Sequence, residues 1–134
     1  MSFFNKIKIL NCNDIINFLS GWNDSEENSI LLLLTSNSSI TAKNTNIQRI
    51  YKIFEDKNIG FIYTDVITIN NNIQNIEYLN GIDLPNVPFF AKKINKLNFT
   101  NIDNDNIMIG IMKTYLDHGY YFQHLADPLI KINI

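Results

Sequence analysis

Cysteine is almost missing from this sequence. Cys12 is the only one in 134 residues, which excludes an internal disulfide and a cysteine-rich zinc site. Arginine is nearly as scarce: Arg49 stands alone beside ten lysines that are scattered rather than gathered into a stripe. With a net charge of −2 and a pI of about 5.6, the chain has no strong field to draw phosphate backbones or anionic lipids. Neither nucleic acid nor a membrane is therefore expected as a partner. Long apolar runs are also lacking. The longest uninterrupted one, Ile30 to Leu34, is far too short to span a bilayer. The opening MSFFNKIKIL has no apolar stretch leading to a small-residue cleavage site, so no signal peptide is expected. Three Asn-x-Ser/Thr sites, at Asn23, Asn37 and Asn98, then read as by-products of an asparagine-rich chain. No glycine-rich phosphate-cradling loop is present, which leaves nucleotide binding without support and no cofactor expected.

What is present suits one domain with a real core: 46% of the residues are hydrophobic and 12% aromatic. KIKIL (Lys6 to Leu10) alternates like a strand. Asn13 or Asp14 can cap a helix whose Ile15, Phe18, Leu19 and Trp22 share one face. Ser29 to Leu34 is an apolar run that reads as a strand buried on both faces. The loop Thr35 to Asn44 follows, and Ile47, Ile50, Tyr51 and Phe54 repeat the helical spacing. GFIYTDV, Gly60 to Val66, reads as a second buried strand. Ile73, Ile76 and Leu79 then fall at helical spacing, with Gly81 as the helix stop. Pro88 opens a hairpin of Phe89 to Lys92 with Lys96 to Thr100. Asp103 or Asp105 can cap a last helix faced by Met108, Ile111, Met112 and Tyr115 and stopped at Gly119. Gly110 inside it costs about 1 kcal/mol relative to alanine and points to close packing.

The order β-α-β-α-β-α-β-β-α predicts an α/β fold, with parallel strands joined by helical crossovers and a closing antiparallel hairpin. It resembles the thioredoxin fold. The resemblance rests on KIKIL, NDIINFLSGW, SILLLLT, NIQRIYKIF, GFIYTDV, NGIDLPNVPFF, the hairpin and the final helix, from about Lys6 to Asp117. It implies a mixed sheet of about five strands flanked by about four helices, over residues 1–119, with residues 120–134 as an extension. Val87-Pro88 before an apolar strand is its most specific piece, and it implies a cis bond at Pro88 facing the active-site loop. A glutaredoxin-like resemblance is weaker, because Phe99 to Asp103 holds no Gly-Gly pair.

In thioredoxins a Cys-x-x-Cys pair opens the helix after the central strand. The matching positions here are Ser38, Ser39, Ile40 and Thr41. Disulfide exchange needs a thiolate that attacks sulfur, and a serine hydroxyl cannot replace it. The family's buried acid on the central strand is absent too, since Ile30 to Leu34 has no carboxylate. The expectation is a redox-inactive binding or structural module for protein partners, not an enzyme. Its candidate surfaces are the old groove at Ser38 to Thr41 with Val87 and Pro88, and a tail carrying Tyr120, Tyr121, Phe122, Ile130 and Ile132. That tail alternates from Leu129 to Ile134 and must pair, either in its own domain or on a partner's sheet edge. The alternative is a thiol-dependent redox enzyme using Cys12.

The remaining reactive side chains are read as structural. Ser38, Ser39 and Thr41 read as helix-capping hydroxyls. Asp117, His118 and His124 lack metal-ligand spacing, so no metal is expected. Asp65, Glu55 and Asp56 read as solvated carboxylates at element ends. Asn and Ile, both with AT-rich codons, are the commonest residues. That bias fits an AT-rich protist, a slime mould or a large DNA virus. The expected location is cytoplasmic or, in the viral case, a virion, where the chain would be a minor component of a large assembly.

Overall fold

The structure is a computed structural model that describes residues 7–41, 44–100 and 102–134. Lys6, Ala42, Lys43 and Asn101, which enter some of the expectations above, lie outside the described residues. β1 (Ile7–Asn11), α1 (Ile15–Asn23) and β2 (Ile30–Leu34) form a crossover unit with β1 parallel to β2. Asp14 caps α1 by accepting the Ile16 N–H at 2.9 Å. Phe18 and Trp22 bury the helix's apolar face.

β2 is buried on both faces, as its continuous apolar run requires. Leu31 and Leu33 face one hydrophobic layer, and Ile30 and Leu32 face the other. β3 (Ser38–Ile40) follows, and α2 (Asn44–Phe54) then covers the second layer through Ile47, Ile50 and Phe54. β4 (Ile59–Asn70) alternates in the same way. Phe61 and Tyr63 enter the first layer, while Ile62 and Val66 enter the second.

Asn71 and Asn72 both have positive φ, 51° and 67°. Two such residues make the two-residue turn whose twist suits a β-hairpin, so the chain folds straight back as β5 (Ile73–Glu77) against β4. The helix expected over Ile73, Ile76 and Leu79 is therefore a strand. The triplet spacing was accidental: both isoleucines are exposed, and only Leu79 packs on the core.

Phe89–Lys92 is a strand, β6, as expected, but it lies antiparallel between β2 and β4 and not in the expected hairpin. Lys96 to Thr100 forms no strand. Its apolar residues turn inward, Phe99 meeting Trp22 edge-on at 4.9 Å and Phe18 at 5.7 Å. Val87–Pro88 is not cis, since the described residues contain no cis peptide bond. A short 3₁₀ turn (Asn104–Asn106) capped by Asp103 leads into α3 (Ile107–Asp117), with Met108, Ile111, Met112 and Tyr115 buried as the spacing predicts. A side chain at Gly110 would sit 3.3 Å from Ile102, which accounts for glycine there.

β7 (Tyr121–Asn133) completes the sheet. The 120–134 extension is a strand, and it pairs within its own chain, parallel to β4 and antiparallel to β3. The sheet order is β1-β2-β6-β4-β7-β3, with β5 alongside β4. The α/β class and the mixed sheet hold. The described residues give seven strands and three α-helices, where five and four were expected.

Candidate functional site

The site begins where β1 and β2 end. In open α/β sheets, ligands favour the crevice outside the carboxyl ends of parallel strands. Here those ends lead to Cys12 and Thr35, joined by the Cys12 N–H bonding to the Leu34 carbonyl at 2.9 Å. The chain after β2 does not run into a helix. Thr35 to Ser38 closes a turn (Ser38 N–H to Thr35 carbonyl, 3.1 Å), and Ser38 to Ile40 continue as β3.

That turn, together with the segment before β6, bounds a cleft of about 280 Å³. Pro88, Ile107, Met108 and Ile132 supply apolar surface, and Asn13, Asn37, Asn86 and Asn104 supply amides. Asp105 is the only acidic side chain among the described residues that line it. Cys12 also lines it, but the residue is fully buried, and burial pushes its thiol up to about 12. A thiol held there carries almost no thiolate near neutral pH and is a poor nucleophile.

The structure thus brings some expected site residues together and separates others. Pro88 lines the cleft with Thr35 and Asn37 of the turn after β2, and its peptide is trans, not the cis bond that the resemblance implied. Ser38, Ser39 and Ile40 are paired with Ile132, Lys131 and Ile130, so the expected vestigial loop and the expected tail form one ladder. Among the described residues, the hydrogen bonds of the loop hydroxyls run to the turn and to β7. Ser38 Oγ donates to the Thr35 carbonyl at 2.8 Å, and Thr41 Oγ1 donates to the Pro128 carbonyl at 3.3 Å. Val87 packs against both hydrophobic layers. In the tail, Phe122 stacks on Phe61 and Tyr63, Ile130 is fully buried, and Tyr120 meets Tyr115 edge-on at 6.2 Å. Tyr121 stays exposed.

A second groove, about 930 Å³, lies at the opposite end of β2. Lys92, Phe54, Tyr51, Tyr120 and three glutamates line it. The Lys92 ammonium donates to the Asp56 carbonyl at 3.1 Å above the Phe54 ring. Burial lowers its pKa, and the Asp56 carboxylate partly offsets that.

Sequence reasoning missed one polar cluster. Asp65 is buried, and its Oδ1 accepts from His124 Nε2 at 2.7 Å and from the Leu79 N–H at 2.9 Å. Tyr63 packs against His124 and keeps a buried hydroxyl without a partner. Burial raises the Tyr63 pKa, and the Asp83 and Asp65 charges add to the rise. The available signal was parity: Asp65 shares the inward face of Phe61 and Tyr63 on one strand. The described residues hold no group of three or more metal-ligating side chains. They also hold no helix long and apolar enough to cross a membrane.

No protein-family model matches the sequence, and a search of curated proteins found no match.

Proposed function

We propose that the chain is a redox-inactive binding module for a protein partner, held through the cleft at the ends of β1 and β2. One observation carries this reading. The cleft has a largely polar lining of four asparagines with Thr35 and Asp105, beside Pro88, Ile107, Met108 and Ile132, and a single thiol pushed up to about 12. Primary amides donate and accept as peptide groups do, so such a lining suits the backbone of an extended segment. The volume lies at the low end of ligand sites and admits one anchoring side chain above Pro88 and Met108. A thioredoxin-like ancestry belongs to the same proposal. The β1-α1-β2 unit, α2 on the opposite face, and Pro88 lining the cleft with the turn after β2 support it. The trans bond and β4 in place of the second hairpin strand weigh against it. The asparagine and isoleucine bias extends the proposal to a minor component of a large viral assembly.

The test is the native size of the protein in extract from its source, with mass spectrometry of co-eluting fractions. Elution in a complex with stoichiometric partners is expected. Asn86→Trp, which fills the cleft from an exposed position, should release it. A protein no larger than a dimer that also turns over disulfides in a dithiol-coupled assay, with activity lost in Cys12→Ser, overturns the reading in favour of thiol chemistry.

A further inference from the structure

β4 outruns β6. Their pairing covers Phe61 and Ile62, and from Val66 onward the place beside β4 belongs to β5. Among the described residues β5 has no other strand neighbour, and all five of its residues are exposed. Ile73 is 63% exposed and Ile76 44%. An open edge of this kind is usually blunted by a lysine, a proline, a bulge or shortness. The other two edges are blunted: β1 carries the exposed Lys8, and β3 has three residues. β5 has no lysine and no proline, its one charge, Glu77, stands at its last position, and its register with β4 runs without a bulge.

We propose that β5 pairs with β5 of a second copy of this chain, antiparallel about a two-fold axis through Asn75. Hydrogen-bond parity sets the register. Asn70 and Ile73 close a two-residue turn, so they and the Thr68–Asn75 pair are the hydrogen-bonded pairs of the hairpin. Thr68 Oγ1 reaching the Asn75 carbonyl at 3.5 Å agrees. The backbone groups of Gln74 and Ile76 then point to the open edge. An antiparallel mate must match these outward residues with outward residues, and only centring on Asn75 does so over all of Ile73 to Glu77. Gln74 then exchanges both bonds with Ile76 of the second copy, and Asn75 faces Asn75 as a close, non-bonded pair.

The side chains favour a second copy over a foreign strand. Ile76 becomes the diagonal neighbour of Ile76 on one face. Glu77 is the only ionisable residue of β5. In this register it lies opposite Ile73, and the two Glu77 carboxylates stand at opposite ends, about 13 Å apart along the strands. Nothing on the strand calls for a partner of opposite charge, and the contact is self-complementary, as a two-fold interface must be.

Two measurements test this. In sedimentation equilibrium the wild-type mass should rise with concentration from 15.5 kDa toward twice that value. Ile76→Lys, at an exposed position, should hold it at the monomer mass with an unchanged circular dichroism spectrum. Asn75→Cys should form a disulfide-linked dimer on mild oxidation, because a non-bonded pair at about 4.5 Å lies within disulfide reach and the native Cys12 is buried. Glu55→Cys, exposed and away from β5, is the control and should crosslink at least tenfold more slowly. A wild type that stays at 15.5 kDa up to about 1 mM overturns the proposal whatever the cysteine variants do. A dimer that survives Ile76→Lys, or in which the two cysteine variants crosslink equally, places the contact elsewhere and overturns it too.

Discussion

The two faces of the sheet are built from different chemistry. Under α1 and α3 the layer is rich in aromatic rings: Phe18, Trp22, Phe61, Tyr63, Phe89 and Tyr115, with Phe99 and Phe122 at its margin. Under α2 it is mainly aliphatic: Ile30, Leu32, Ile47, Ile50, Ile62, Val66, Leu129 and Ile130. Aromatic rings pack through directed edge and offset contacts, whereas branched aliphatic chains fill space with little directionality. The aromatic face also holds the polar anchors, since Tyr115 donates to the Lys92 carbonyl at 2.6 Å and Asp65 meets His124. The cleft draws Cys12, Ile107 and Met108 from that layer. The larger groove draws Ile30, Tyr51 and Phe54 from the aliphatic face. Adding a side chain at Gly60 shows how tight the aromatic side is: its Cβ would fall 2.5 Å from the Tyr115 ring.

The contrast can be broken first at Phe61, whose ring meets Phe89, Tyr115 and Phe122 within 5.6 Å. Phe61→Ala should cost about 3–5 kcal/mol in urea unfolding, because neither a rigid sheet nor the facing rings can collapse into the gap. A loss under 2 kcal/mol would mean that the aromatic layer is no more specific than its aliphatic counterpart. Next comes the polar anchor. His124→Ala leaves the Asp65 carboxylate buried with only the Leu79 N–H, at a cost of up to about 3–5 kcal/mol. A double-mutant cycle with Asp65→Asn should depart from additivity by about 0.5–3 kcal/mol, and additive losses would show that the two groups act separately. The smallest effect belongs to the aliphatic face, where Ile50→Val should cost about 0.5–1.5 kcal/mol.

A pH titration sharpens the same contrast at Cys12, which belongs to the aromatic cluster. Its thiol is raised from 9.0 to about 12 by burial. Between those values an unfolded chain releases the proton and the folded chain keeps it, so ionisation favours unfolding. This contribution is intact below about pH 9 and is lost as pH rises toward about 12. Cys12→Ala should therefore flatten the alkaline fall in stability. A slope identical to wild type would show that the thiol ionises in the folded protein after all.

Much of the fold was legible in the residues. Asp14 before Ile15, Phe18 and Trp22 specified α1, and the run Ile30 to Leu34 specified a two-faced strand. Local physics suffices there, because a capped amphipathic period and a continuous apolar run each have few ways to bury themselves. The reading failed where pairing decides. The abundance of asparagine looked like composition bias, yet Asn71 and Asn72 make the turn that creates β5. The alternating tail beyond Gly119 called for a strand partner but did not say which, and β7 runs beside β4 for the length of both strands.

By itself, then, the sequence determined which segments are apolar on one face or two, where α1 starts, and that thiol chemistry has a single side chain to draw on. Those properties follow from the order of residues within one turn or strand. Only the tertiary structure decided that β4 lies between β6 and β7, that Ser38 to Ile40 meets Ile130 to Ile132, and that Asp65 finds His124 across 59 positions of chain. The physical reason is that strand partners and buried polar pairs are chosen by competition among distant segments for the same edges, and no local pattern records which segment wins.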